Sequence, residues 1–282
     1  LERSLMYRTF IVSTLHYNRT MKIEVYRVES TGGVMRGRVQ DFAVSLLILA
    51  SLSGCIFSED IDDGFDLKVD FDVTERTIIE VFSDGELESK QSVSIDFDFS
   101  KTSTELNLIG VDKNDGSAPT EKSPVDSSTL VVVFSSHGNY SLSIYAVSAT
   151  GLTETLTTQI TVDLRMKWYE NATSEPNPLA FNPIPENGGN HPIMIEVEST
   201  VSNPSVLNDF RGGQSVQFSW TLTDELGDTC QHYDGEVSDG DSETWETLYF
   251  NTYLQHELGV TYNDGQDLID IYHDVLITYQ SE

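Results

Sequence analysis

From Phe65 onward the chain alternates apolar and polar residues with a period of two, the signature of strands with one buried face. Leu67, Val69, Phe71 and Val73 alternate with Lys68, Asp70 and Asp72. Ile78, Ile79, Val81 and Phe82 form a denser run that ends at the turn signal Ser83-Asp84-Gly85. Val93, Ile95, Phe97 and Phe99 alternate again, and Leu130–Phe134 is a continuous β-branched run of the kind buried on both faces. Tyr140, Leu142, Ile144 and Ala146 follow, then Ala149-Thr150-Gly151 turns the chain into Thr153–Val162. The spacing predicts six or seven short strands in this first stretch and no helix, the pattern of an antiparallel β-sandwich.

Pro176, Pro178, Pro183, Pro185 and Pro192 then crowd one segment with Gly188 and Gly189. Proline lacks the N–H that a strand ladder needs, so residues 165–191 read as a semi-rigid linker between two domains. The second domain opens with Ile193, Ile195 and Val197 against Met194, Glu196 and Glu198. Val216, Phe218, Trp220 and Leu222 make a strand with Trp220 at its centre, and Ile269 to Tyr279 close the domain. Residues 243–258 fit two periods. Trp245, Leu248, Tyr249, Thr252 and Tyr253 share a helical face, while Trp245, Thr247, Tyr249 and Asn251 alternate as a strand, which their Thr and Tyr content favours. The expected fold is all-β: two antiparallel immunoglobulin-like β-sandwich domains over residues 65–164 and 192–282.

Charge then narrows the partners. The 282 residues hold 46 acidic and 16 basic side chains, a formal net charge of −30. Such a surface repels phosphate backbones, which excludes nucleic acid as a partner of the folded part. With 38% hydrophobic residues, the chain still has enough apolar material to build cores.

The segment 35–55 carries an address. Arg36 and Arg38 precede an apolar run, Phe42–Ala50, that is too short to cross about 30 Å of hydrocarbon. Leu52, Ser53, Gly54 and Cys55 follow. An aliphatic residue, two small residues and Cys resemble the lipobox of prokaryotic membrane lipoproteins. The resemblance implies signal peptide 35–54, peptidase recognition through Leu52, Ser53 and Gly54, and a lipid on the Cys55 thiol. It also implies an exported protein attached to the membrane at its N-terminus, facing away from the cytoplasm. Residues 1–34 then stand outside the mature protein, as upstream translation or a tail, and 55–64 form an acidic tether. From Cys55 onward the net charge is −33, which holds the domains off anionic headgroups.

Within the first domain, Gly138-Asn139-Tyr140 through Gly151 to Thr161-Val162 resembles the closing hairpin of PKD-type immunoglobulin-like domains. The Trp-Asp-Phe-Gly-Asp-Gly stretch of that family is replaced here by Ile95-Asp96-Phe97-Asp98-Phe99.

Chemistry-bearing patterns are few. The sequence has no His-Glu-x-x-His, Gly-x-Ser-x-Gly, Gly-rich phosphate loop or Cys-x-x-Cys. Gly240-Asp241-Ser242 matches the start of one esterase signature without the α/β setting that signature needs. Cys230 reads as a small buried hydrophobe. Two clusters offer hard oxygen ligands, Asp112, Asn114 and Asp115 in one loop and Asp234, Glu236, Asp239 and Asp241 in another. Each is a solvated acidic loop or a calcium site that relieves repulsion, and no other cofactor is indicated. Trp168, Tyr169 and Phe181 lie near the linker, where they pack between domains or serve as aromatic platforms for a glycan. The reading as a whole is a non-enzymatic surface module that binds or spaces, with a glycan or protein as partner.

Overall fold

A computed structural model describes residues 64–204, 213–265 and 267–280. The segment 35–55 and its lipobox lie outside the described residues, as does most of the tether. The described residues belong to one compact unit. They contain strands and no helix.

The first half builds β1 (Glu75–Ser83), β2 (Glu86–Gln91), β3 (Val93–Asp98), β4 (Leu106–Asp112), β5 (Thr120–Lys122), β6 (Thr129–Phe134) and β7 (Gly138–Ser148). A long strand, β8 (Thr153–Thr173), leads into β9 (Leu179–Phe181), β10 (Met194–Ser202), β11 (Val216–Asp224), β12 (Thr229–Val237), β13 (Ser242–Tyr249), β14 (His256–Asp264) and β15 (Ile269–Thr278). The expected antiparallel all-β architecture is what the chain adopts, with one parallel pair, β1 beside β8. Asp84 and Gly85 both have positive φ, 48° and 90°, so the β1–β2 hairpin closes on a type I′ turn whose twist suits the strands.

β8 organises the molecule. Its Thr153–Val162 half pairs with β7, and its Leu164–Thr173 half pairs with β15. β1 runs parallel to Thr161–Tyr169. A nine-stranded sheet therefore spans both halves of the sequence, in the order β13-β10-β15-β8-β7-β4-β5 with β1 and β2 attached. Smaller sheets, β12-β11-β14-β9 and β3-β6, complete the fold. Buried side chains from both halves form one continuous cluster, from Phe97, Leu142 and Ile160 to Met166, Ile195, Trp220 and Ile277.

This corrects the linker. Residues 165–173 continue β8 because the period of two continues: Leu164, Met166 and Trp168 are buried while Arg165 and Tyr169 point outward. The proline-rich remainder is a strap fixed along its length. Glu170, itself buried, accepts hydrogen bonds from the Asn177 backbone N–H (2.9 Å) and side chain (3.1 Å). β9 pairs with β14 and buries Leu179 and Phe181. Thr252 Oγ1 donates to the Pro192 carbonyl at 2.7 Å.

Two further expectations resolve. Residues 243–258 form nearly all of β13 and the start of β14, with no helix. β6 leaves Val131 and Val133 about half exposed on one face, because among the described residues the β3-β6 sheet has no layer outside it.

Candidate functional site

The strand start at Gly138 and the strand end at Thr278 meet along β8, and the meeting point is tied by polar contacts. His137 Nδ1 and the Tyr279 hydroxyl share a hydrogen bond of 2.6 Å, buried from solvent. The Tyr279 N–H donates to Asp163 Oδ1 at 2.9 Å. Beside this joint the turn at Asn187 folds onto β7. Asn187 Nδ2 donates to the Asn139 carbonyl at 2.9 Å, and its Oδ1 accepts from the Gly189 N–H. Only glycines permit that approach. A Cβ on Gly138 would lie 2.7 Å from the Asn187 amide, and one on Gly189 would lie 2.6 Å from the Asn139 carbonyl.

The result is a groove made of two adjoining recesses of about 420 and 160 Å³ that share Asn139, Gly189, Asn190 and Gln280. Ser141, Gln159 and Thr161 continue it along the outer face of β7 and β8. At the other end stand His191, Ile193 and Tyr253. The rings of His191 and Tyr253 lie 4.2 Å apart, and Tyr253 is 63% exposed. His191 Nδ1 faces the Thr252 carbonyl at 3.2 Å and donates to it, which holds the ring beside Tyr253. Asn139 is held in place by Thr161 Oγ1, which donates to its Oδ1, and by its own donation to the Gln280 carbonyl. Among the described residues, no Asp, Glu, Lys or Arg lines either recess. In a chain with 46 carboxylates, that is the distinctive feature of this groove.

The other concave surfaces are charged. The outer face of the large sheet carries Glu196, Glu198, Glu246 and Asp274 around Arg165. Arg165 grips Asp274 with two nitrogens, at 2.7 Å each, and the Tyr272 hydroxyl donates to the same carboxylate at 2.9 Å. Near β3, Asp70, Asp72, Asp96 and Asp98 surround a recess with Arg76. Arg76 pairs with Asp72, and Lys101 with Asp70, so those carboxylates are partly neutralised within the fold.

The aromatic residues singled out in the sequence separate. Trp168 and Phe181 are core residues, 3% and 5% exposed, and neither is available as a platform. Tyr169 points to the outer face, 39% exposed, with its ring 5.0 Å from that of Tyr272. Alternation along β8 decides this split, since neighbouring residues on a strand face opposite ways.

Neither acidic cluster gathers around a common point. Asp112 Oδ1 accepts the Asn114 N–H, and Asn114 turns its amide nitrogen toward the Ser141 carbonyl. Asp115 pairs with Lys113 at 3.2 Å and caps Ser117. Asp234 pairs with His232 at 3.0 Å, and the Glu236 N–H donates to Glu243. Asp239 and Asp241 are exposed on the β12–β13 turn, where the Asp241 carbonyl accepts the Asn203 N–H. Among the described residues no group of three or more His, Cys, Asp or Glu side chains converges for a metal ion. Cys230 is half-buried rather than sealed, its thiol near the Asp228 carbonyl.

Among the described residues, a serine–histidine contact lies in the core. Trp220 Nε1 donates to Ser199 Oγ at 2.6 Å, and Ser199 Oγ shares a 2.7 Å hydrogen bond with His273 Nδ1. All three side chains are fully buried. His273 faces Trp168 across the β8–β15 register, and among the described residues neither His273 Nε2 nor Trp168 Nε1 has a hydrogen-bond partner. Burial pushes the His273 imidazole down to about 3. The folded value lies below the unfolded one of about 6.5, so the neutral ring contributes stability above that pH and loses it on acidification. A His273→Gln variant is expected to be less stable than the parent at neutral pH. Between about pH 6.5 and 4.5 that difference should shrink by up to about 1.4 kcal/mol per pH unit. Urea unfolding of both proteins across this range checks the sign. Subtracting the two curves removes the general relief of charge repulsion, and a difference independent of pH would contradict the assignment.

No protein-family model matches the sequence, and no curated protein sequence matches it. Solved structures with a similar arrangement of strands are remote. β-sandwich carbohydrate-binding modules align with 11% identity over 75% of this chain and 96% of theirs, at a TM-score of 0.28. Fibronectin(III)-like modules of Clostridium thermocellum CbhA align with 13% identity over 69% of this chain and 93% of theirs, at 0.24. A Bacteroides uniformis β-glucuronidase aligns with 9% identity over 79% of this chain, which spans 30% of that enzyme, at 0.27. Likenesses this remote say nothing about what this chain binds.

Proposed function

We propose that the protein is a non-catalytic binding module held at the cell envelope by a lipid on Cys55 and facing away from the cytoplasm. The observation that carries this reading is the order of features before the fold. A basic stretch, a short apolar run and Leu52-Ser53-Gly54-Cys55 lead into an acidic tether and then an all-β body. A thiol at that position takes a thioether-linked lipid, and buried acyl chains contribute about 0.8 kcal/mol per CH₂ to membrane attachment.

Two structural features support a role in binding rather than catalysis. The one buried Ser–His contact described above is sealed beneath Trp220, so no substrate reaches it. The groove at the β7–β15 joint is open, and its rim presents an aromatic ring and exposed amides. Exposed amides and a tyrosine ring are suited to holding a ligand. Metabolic palmitate labelling of the chain expressed from Met35 tests the anchor. Label is expected on the parent and none on a Cys55→Ser variant. A parent without label would contradict the reading.

A further inference from the structure

We propose that the groove between the two halves is a binding site for an uncharged glycan, with Tyr253 as the platform under a sugar ring. The proposal rests on the binding-module reading and adds the ligand's chemical class. It starts from the contrast in charge. Elsewhere on this surface the recesses are lined with carboxylates, whereas among the described residues the recesses beside Asn139 have none and no lysine or arginine. A cationic ligand finds a stronger field at the acidic grooves. An anionic ligand meets the field of a chain with net charge −30 and finds no cation in the groove to offset it. An uncharged polar ligand remains, and the groups present match one with hydroxyls on its edge and an apolar face.

Amide side chains both donate and accept, so Gln159, Asn190 and Gln280, all exposed, can pair with hydroxyls of either orientation. Tyr253, about two-thirds exposed and braced by His191, offers a flat apolar face with a polar tip. Ile193 adds apolar surface beside it. The groove is also pre-formed. The glycine contacts at Gly138 and Gly189 and the Asn187 bridge fix its floor, which limits the ordering entropy that binding must overcome.

Isothermal titration of the full chain with cellohexaose, xylohexaose and mannohexaose as uncharged probes, and hexagalacturonate as the anionic one, tests the proposal. At least one uncharged probe is expected to bind and hexagalacturonate is not. Tyr253→Ala should weaken binding by about tenfold or more while Tyr169→Ala, on the outer face of the large sheet, changes it by less than about twofold. Raising the salt from about 0.05 to about 0.5 M should leave the affinity within about twofold, since no charge takes part. Unchanged thermal unfolding of Tyr253→Ala shows that the loss is at the site. If no uncharged probe binds, if hexagalacturonate binds more tightly, or if Tyr253→Ala binds as the parent does, the glycan assignment is overturned. Palmitate on Cys55 would still stand in that event, so the two readings fail separately. Binding of an uncharged peptide in the same groove would overturn the ligand class alone.

Discussion

Replacing Met166 by proline is expected to abolish the fold. Met166 is 2% exposed in the middle of β8, paired with Val275 of β15 on one side and Glu80 of β1 on the other. Proline removes a ladder N–H, and its ring crowds a neighbouring strand in a position flanked on both edges. The lost ladder bond and the carbonyl left buried without a donor cost about 1–3 kcal/mol each, and the ring's clash with the neighbouring strand adds to them. Together these consume the stability of a domain at the lower end of the ordinary range, about 5 kcal/mol. Met166→Leu, which keeps volume and backbone, should cost less than about 1.5 kcal/mol. Circular dichroism and urea unfolding of the two variants give the comparison. If residues 165–191 were a hinge, proline at 166 would be tolerated, so a folded Met166→Pro protein would return the chain to two tethered domains.

The second large effect is expected at Trp220. Its ring is fully buried and lies edge-on to Phe218 at 4.7 Å, with Tyr233 and Trp245 5.7 and 6.1 Å away. Because Trp245 belongs to β13 in the large sheet and Trp220 to β11 in the smaller one, this cluster joins the two layers. Trp220→Ala should cost about 3–5 kcal/mol through the lost contacts and the cavity left behind. It also strips the donor from Ser199, whose partner His273 is sealed in the same place. Trp220→Phe keeps most of the ring and loses the N–H, so its penalty should be smaller, about 1–3 kcal/mol. Unfolding midpoints that place both variants level with the parent would contradict this account of the core.

Much of the architecture is legible in the residue order. The β7–β8 hairpin shows in the alternation of Tyr140, Leu142, Ile144 and Ala146, all buried in the fold, and Trp220 shows as a mid-strand core residue. The continuation of β8 is harder to see. Arg165, Lys167 and Glu170 look like the polar start of a linker, and the prolines at 176 and 178 strengthen that impression. Only the pairing partners, Leu276 opposite Arg165 and Asp274 opposite Lys167, reveal a strand whose polar face is simply the outside of a sheet. Asp274 belongs to the last strand, more than a hundred residues away, and local periodicity carries no information about it.

The groove is less legible still. Asn139, Gln159, Asn190, Tyr253 and Gln280 come from five separated stretches and share no spacing. Amides and a tyrosine have no chelation or nucleophile geometry that would force a recognisable interval between them. The usable signal was negative: among so many carboxylates, Ser136 to Ser148 and Leu156 to Thr161 contain none. Trp168, Tyr169 and Phe181 divide between packing and exposure for a related reason. On a strand, position relative to a boundary says less than parity, and Trp168 and Tyr169 fall on opposite faces.

The groove exists only where the start of β7 meets the end of β15, so the central claim is that both halves of the sequence fold as one body on β8. Native-state hydrogen exchange of the Trp220→Ala variant tests it most directly, because the substitution lies wholly in the second half. If the halves are one cooperative unit, amides of β3 and β6 lose protection together with those of β11 and β14, by the same free energy. Loss confined to β11 and β14, with β3 and β6 protected as in the parent, would contradict it.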